Sequence, residues 1–252
     1  MKKLKLGNTG ITVSPLAIGT GTRGIRGSSA QTKKGTQWLS RLLTKGYGMG
    51  INFWDLADQY GSHTHARKAI YALSADTFDR HDLVICTKTT VRTYQECKTN
   101  IERFLKELET EYIDIVLLHC IMQGDWTKSS KGAMKALDEA KTEGKVKAVG
   151  ISSHSFEALQ TAASDPWTEV ILARLNYAGD NMDAPPGKVI PVLRKARLHG
   201  KAVIAMKVIG CGTLSNDPQK AISYVQNLDC VDAMVIGFLK ESEMKSSLVM
   251  FG

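Results

Sequence analysis

Short apolar runs alternate with amphipathic stretches along almost the whole chain. The runs read LAIGT, INFWDLA, LVICTK, IDIVLLHC, VKAVGISS, EVILARLN, AVIAMKVI and DAMVIGF. They are rich in β-branched residues and bounded by Gly, Asp or Lys, as strands covered on both faces require. Between them the apolar period changes. In NIERFLKEL, residues Ile101, Phe104, Leu105 and Leu108 recur on one helical face. VIPVLRKARLHG has the same character and reaches Gly200, a residue suited to a left-handed helix stop. Ahead of the first run, KLKLGNTGITVSPL folds back on its Asn-Thr-Gly turn as a hairpin.

Strand and helix thus alternate eight times within 252 residues, the normal size of a (β/α)8 barrel. An open doubly wound sheet is the alternative, and it normally carries GxGxxG after its first strand. Here the first strand runs into IGTGTRGIRG, glycine-rich but without that spacing. The expected fold is therefore α/β, a (β/α)8 TIM barrel with an N-terminal β-hairpin, residues 1–252 forming one domain.

Composition narrows the function. Hydrophobic residues make up 43% of the chain, enough for a large core, and no apolar run approaches the roughly 18 residues of a membrane span. MKKLKLGNTG has no apolar stretch after its lysines, so no signal peptide is read and the cytoplasm is expected. The five cysteines, Cys86, Cys97, Cys120, Cys211 and Cys230, are scattered and form no CxxC pair. They read as reduced thiols, with no metal site. The net charge of +8 is spread over many helices, which favours small anionic ligands over nucleic acid. Nothing in the pattern indicates an oligomeric state.

Candidate chemistry sits where strands end. Ile51, Phe53 and Asp55 share one face of their run, as do Val84, Cys86 and Lys88, and Ile115, Leu117 and His119. Asp55, Lys88 and His119 close three consecutive strands, and Tyr60 follows the first in its loop. In a barrel those ends form the rim that carries active sites. Singly, each has an ordinary reading as a helix cap, loop packing or a solvated charge; together, at consecutive rims, they suggest chemistry. A lysine beside a phenol lowers its pKa, a carboxylate keeps the lysine charged, and a neutral imidazole can donate to a carbonyl oxygen. Such a set polarises a C=O and delivers a proton, given a hydride donor.

At these residues the chain resembles the aldo-keto reductase family over nearly its whole length. LGNTGITVSPLAIGTGT is similar to that family's N-terminal hairpin and first strand, and NFWDLADQYG to its D-x-A-x-x-Y-G motif. ICTK, DIVLLHC and VKAVGISS look like the strands carrying its lysine, its histidine and its nicotinamide contacts. The resemblance implies a carbonyl reductase using NAD(P)H, NADP by default with NAD also open, and a tetrad of Asp55, Tyr60, Lys88 and His119 with Tyr60 as proton donor. It further implies cofactor contacts from Gly19, Thr20, Ser152, Ser153, Arg174, Asn176, Met206, Lys207, Gly210, Gly212, Thr213, Leu214, Gly237, Lys240 and Ser242. Glu243 stands where an arginine is expected near the 2′-phosphate. The chain continues only briefly past VIGFLKESEMKSS, so an open substrate pocket is expected, lined by Trp54 and Trp126, with His63, His65 and Tyr177 as further candidates. Two other readings stay open: a lyase forming a Schiff base on Lys88, and a nucleotide-sensing regulatory subunit with little turnover.

Overall fold

Each apolar run of the sequence forms a strand, and the strands close on themselves. In the computed structural model, which describes residues 1–74 and 78–252, eight parallel strands make a closed barrel. A two-stranded hairpin, β1 (Leu4–Lys5) and β2 (Thr12–Val13), precedes it. The barrel strands are β3 (Leu16–Gly19), β4 (Phe53–Asp55), β5 (Val84–Thr89), β6 (Ile113–Ile121), β7 (Val146–Ser153), β8 (Val170–Arg174), β9 (Ala202–Met206) and β10 (Ala233–Gly237), which returns to pair with β3. Between and beyond them lie α1 (Thr36–Gly48), α2 (His63–Leu73), α3 (Tyr94–Leu108), α4 (Trp126–Ser129), α5 (Lys131–Thr142), α6 (Phe156–Ser164), α7 (Pro186–Leu198), α8 (Pro218–Gln226) and α9 (Glu241–Leu248). No helix among the described residues is long and apolar enough to cross a membrane.

Strand alternation builds two cores. Ala17, Phe53, Val84, Cys86, Ile115, Leu117, Ala148, Leu172 and Ile204 fill the barrel interior. Their neighbours Ile18, Trp54, Ile85, Val116, Leu118, Val149, Ile171 and Val203 face the helices, where Ile101, Phe104, Leu105 and Leu108 of α3 meet them. Each fully buried aliphatic or aromatic side chain contributes about 1.5–3 kcal/mol relative to exposure. Ile51 departs from expectation: it precedes β4 and packs in the outer layer. Gly200, left-handed at φ 76°, follows α7 as the pattern requires.

The two ends of the barrel differ. Leu6, Ile11 and Val13 of the hairpin join the interior core, Asn8 donates to the Gly200 carbonyl at 2.8 Å, and Asn52 accepts from the Ser14 amide at 2.6 Å. The hairpin therefore plugs the end where strands begin. The opposite end, where β4, β5 and β6 deliver their last inward side chains, is left to the loops.

Candidate active site

Alternation and register bring the polar strand ends together. On β4, Phe53 points inward, so Trp54 must point out and Asp55 in; on β5 the same count turns Lys88 inward, and on β6 it turns His119 inward. Lys88 is fully buried; its ammonium donates to Asp55 Oδ1 at 2.6 Å and to the Leu56 carbonyl at 2.7 Å. Thr20, also fully buried, ties β3 to this point by donating its hydroxyl to the Asp55 carbonyl at 2.8 Å. Past β4, residues Asp58–Tyr60 form a 3-10 turn. It is anchored by Arg103 of α3, which bridges Asp58 at 2.9 Å and Glu107 at 2.8 Å. That turn carries the Tyr60 hydroxyl to 3.3 Å from His119 Nε2, with the Lys88 ammonium over the ring at 5.0 Å from its centroid.

Beyond His119 the ladder slips. The β6–β7 register shifts between Leu118 and Ile121, and Cys120 takes a left-handed φ of 54°, an irregularity typical of strand ends beside functional sites. Cys120 Sγ then lies 3.7 Å from His154 Nε2, and the His119 and His154 rings meet edge to face at 6.2 Å. Arg92 donates to the His119 carbonyl at 2.5 Å. Arg92, Cys120 and His154 were not among the expected site residues; only their adjacency to His119, Lys88 and the GISS segment marks them in sequence.

Burial dominates the electrostatics. It raises the Asp55 carboxyl, with Lys88 pulling it back. Burial alone would depress the Lys88 ammonium, but Asp55, with lesser help from Tyr60 and Cys86, reverses this and leaves Lys88 firmly charged. For Tyr60, burial lifts the phenol to about 12, although Lys88 acts downward. The expected depression by lysine is thus correct for that one partner and is outweighed by desolvation. His119 is pushed down to about 2 by burial and by the charges of Lys88, His154, Arg92 and Lys207, so its imidazole is neutral. Its Nδ1 is buried without a protein partner. A buried N–H left without an acceptor costs about 1–3 kcal/mol, more than an idle lone pair. The proton therefore belongs on Nε2, which donates to the Tyr60 oxygen and leaves the phenolic proton free.

A sequence profile of the Aldo/keto reductase family matches residues 15–248. The chain belongs to that family. Among curated relatives, L-galactose dehydrogenase of Arabidopsis thaliana is 27% identical over 83% of this chain and 66% of its own length. Probable aldo-keto reductase 1 of Glycine max is 30% identical over 68% of this chain and 50% of its own length. The chain thus spans less than two thirds of both. Among solved structures, an aldo-keto reductase from Pseudomonas aeruginosa aligns over 99% of this chain and 93% of its own, at TM-score 0.81 and 23% identity. The holo form of one from Bacillus halodurans aligns over 100% and 90%, at TM-score 0.77 and 20% identity. At those identities the likeness speaks for the fold.

In this member of the family the residues expected around a nicotinamide cofactor fall into two groups. On the side suited to a pyrophosphate, Lys207 is half-buried and its charge reaches Asp55, His119, Cys120 and His154. Lys207, Gly210, Cys211 and Gly212 all take left-handed φ, and Gly212 opens onto space where a Cβ would meet nothing. Thr213 is exposed although its hydroxyl donates to Asp180 at 2.7 Å, and Leu214 is buried beneath. Met206 is half-buried at the end of β9.

The other side is more occupied. Ser152 is buried with its hydroxyl 3.4 Å from His154 Nδ1, and Ser153 donates to the Ser155 carbonyl at 2.9 Å. The Asn176 side chain is fully used, donating to Asp180 and Lys207 carbonyls and accepting from the Ala178 and Asp180 amides. Arg174 pairs with Asp183 at 3.0 Å and leaves its Nε buried without a partner. Thr20 is committed to Asp55, and Gly19 and Gly237 pack β3 against β10. Lys240 and Ser242 are exposed, while Glu243 accepts from the Leu239 and Lys240 amides at 2.8 and 3.1 Å as the cap of α9. The expected pocket linings lie elsewhere. Trp54 is buried in the outer layer, Trp126 packs against Trp167, and Tyr177 meets Tyr224 and Lys220 of α8. His63 bridges Glu107 and Thr87 between barrel and helices, and His65 is buried in α2.

Proposed function

We propose that this protein reduces an aldehyde or ketone to an alcohol, with Tyr60 as the proton donor and NADP(H) as cofactor, NAD(H) competing. One observation carries the reading. A phenol at the barrel mouth meets an imidazole at 3.3 Å and lies beneath an ammonium paired with a buried carboxylate at 2.6 Å; burial favours the protonated phenol and the neutral imidazole. A substrate carbonyl entering between them would accept from the Tyr60 hydroxyl and take the His119 Nε2–H in place of the Tyr60 oxygen, and so be polarised by both. As its oxygen gains negative charge it becomes more basic than a phenolate, so transfer of the Tyr60 proton is downhill even from a value of about 12. Lys88 stabilises the phenolate left behind, and Asp55 keeps Lys88 charged and aimed. When bound, the nicotinamide supplies the hydride to the carbonyl carbon; Lys207 and the left-handed loop after β9 would hold its phosphates.

The lyase reading requires an uncharged Lys88. The double hold by Asp55 and the Leu56 carbonyl, with its raised value, argues against it. The substrate is a small carbonyl compound, and a cytoplasmic setting agrees with five free thiols. The test is turnover of a broad aldehyde with NADPH and NADH, wild type against Tyr60→Phe. The variant is expected to keep cofactor affinity and lose about 10²–10⁴-fold in kcat. Undiminished turnover removes Tyr60 as the acid, and tight cofactor binding without turnover on any carbonyl in the wild type turns the reading to the regulatory alternative.

A further inference from the structure

The glycine-rich segment after β3, residues 20–27, is not explained by phosphate binding. We propose that Gly21 and Gly24 are positioning residues for Tyr60: they hold the two edges of its ring, and a side chain at either displaces the phenol. The inference rests on the reading of Tyr60 as proton donor.

The geometry is direct. A Cβ on Gly21 would lie 2.2 Å from Tyr60 Cε2 and 2.3 Å from Cζ; a Cβ on Gly24 would lie 2.2 Å from Cδ1 and 2.7 Å from Cε1. These atoms belong to opposite edges of the ring. Carbon atoms normally approach to about 3.5–4.0 Å, so either methyl group demands more than about 1 Å of movement. Backbone conformation does not account for glycine at these positions. Neither Gly21 nor Gly24 is left-handed, whereas Arg23 at φ 53° and Arg26 at φ 50°, in the same loop, are. At Gly21 and Gly24 space alone calls for glycine, and at Arg23 and Arg26 the chain carries arginine where φ would favour glycine.

The ring cannot yield cheaply. Its hydroxyl is at His119 and the Lys88 ammonium lies over its face. The loop is also fastened. Gly27 donates to the Gln59 carbonyl at 2.9 Å, and a Cβ on left-handed Gly61 would strike Gly27 O at 2.1 Å. Fully buried Gln31 holds Thr22 through two hydrogen bonds of 2.7 and 3.0 Å and reaches the Phe238 carbonyl beyond β10. Added volume at Gly21 or Gly24 is therefore passed to the phenol, and a displacement near 1 Å costs about 100-fold in rate.

The experiment measures Gly21→Ala and Gly24→Ala in two backgrounds. With Tyr60 present, each is expected to lower kcat about 100-fold while NADPH affinity stays within about twofold. Gly48→Ala, where a Cβ meets nothing within 4 Å, is expected to leave activity unchanged. Added to Tyr60→Phe, the same substitutions should cost nothing further. Equal losses in both backgrounds overturn the proposal. Should the alanine variants not fold, wild-type protein labelled with ¹³Cε-tyrosine decides. Separate signals for the two ε positions of Tyr60, assigned by their loss in Tyr60→Phe, indicate a clamped ring; one averaged signal overturns the clamp. That readout needs no turnover, so a wild type inactive on every carbonyl would refute the reductase reading alone.

Discussion

Lowering the pH from 7 to 5 tests the neutral imidazole on which the proposed proton delivery depends. A histidine in an unfolded chain titrates near 6.5. His119 in the folded protein is held down to about 2, and His154 beside it to about 4, both by burial first and then by the surrounding cations. Between these limits the unfolded state binds protons that the native state refuses, so stability rises with pH. The contribution of each group is complete above about pH 6.5 and is lost as pH falls below it. At pH 5 the penalty for His119 is about 2 kcal/mol, being about 1.5 pH units at roughly 1.36 kcal/mol each. It depends only on the native value lying well below 5, and His154 adds nearly as much.

Urea unfolding at both pH values, for wild type, His119→Gln, His154→Gln and the double variant, measures this. Each single variant should lose about 2 kcal/mol less than wild type between pH 7 and 5, and the double variant about 4 kcal/mol less. The raised carboxyls of Asp55, Asp183 and Asp232 act in the opposite sense. They are common to all four proteins and drop out of the difference. A His119→Gln protein with the full wild-type pH dependence would mean that native His119 takes up a proton as readily as the unfolded chain. The neutral state of His119 at pH 5, and the burial that enforces it, would then be refuted.

Two further substitutions probe the groups around this centre. Asp55→Asn leaves the fully buried Lys88 ammonium without its counter-charge and should cost about 3–5 kcal/mol in urea unfolding at pH 7; an unchanged midpoint would refute the buried pair. Glu243→Gln removes the negative charge from the cap of α9, beside exposed Lys240 and Ser242. It should raise NADPH over NADH affinity several-fold at low salt, and an unaltered ratio would mean that Glu243 does not face the 2′-phosphate.

The barrel and its inward polar residues were legible because both depend on a period. A strand reverses its side chains at every residue, so Phe53 inside forces Asp55 inside, and the same count sets Lys88 and His119. That count also puts Trp54 outside; assigning it to a substrate pocket disregarded the alternation that located Asp55 one residue later. Trp126 and Tyr177 follow no such rule, since loop residues take their direction from tertiary packing against Trp167 and α8. Asn176 and Thr20 were expected to face a ligand because they are polar and near the rim. Asn176 spends its amide on the turn that follows it, at Ala178 and Asp180, and on the distant Lys207 carbonyl, while Thr20 donates to the Asp55 carbonyl thirty-five positions on; composition reports neither the turn nor the distant partners.

The phenol shows the limit most sharply. Sequence supplies the lysine and hence the sign of one interaction, a downward pull on Tyr60. The net shift is upward because desolvation scales with everything packed around the ring, including two glycines more than thirty positions earlier in the chain. A side chain that lowers a pKa can be named from a motif, but the volume that raises it has to be measured in three dimensions. With its pKa raised to about 12, the phenol keeps its proton at neutral pH. On the proposed reading, burial keeps on Tyr60 the proton it would deliver, and Lys88 would stabilise the phenolate after transfer rather than draw the proton off beforehand.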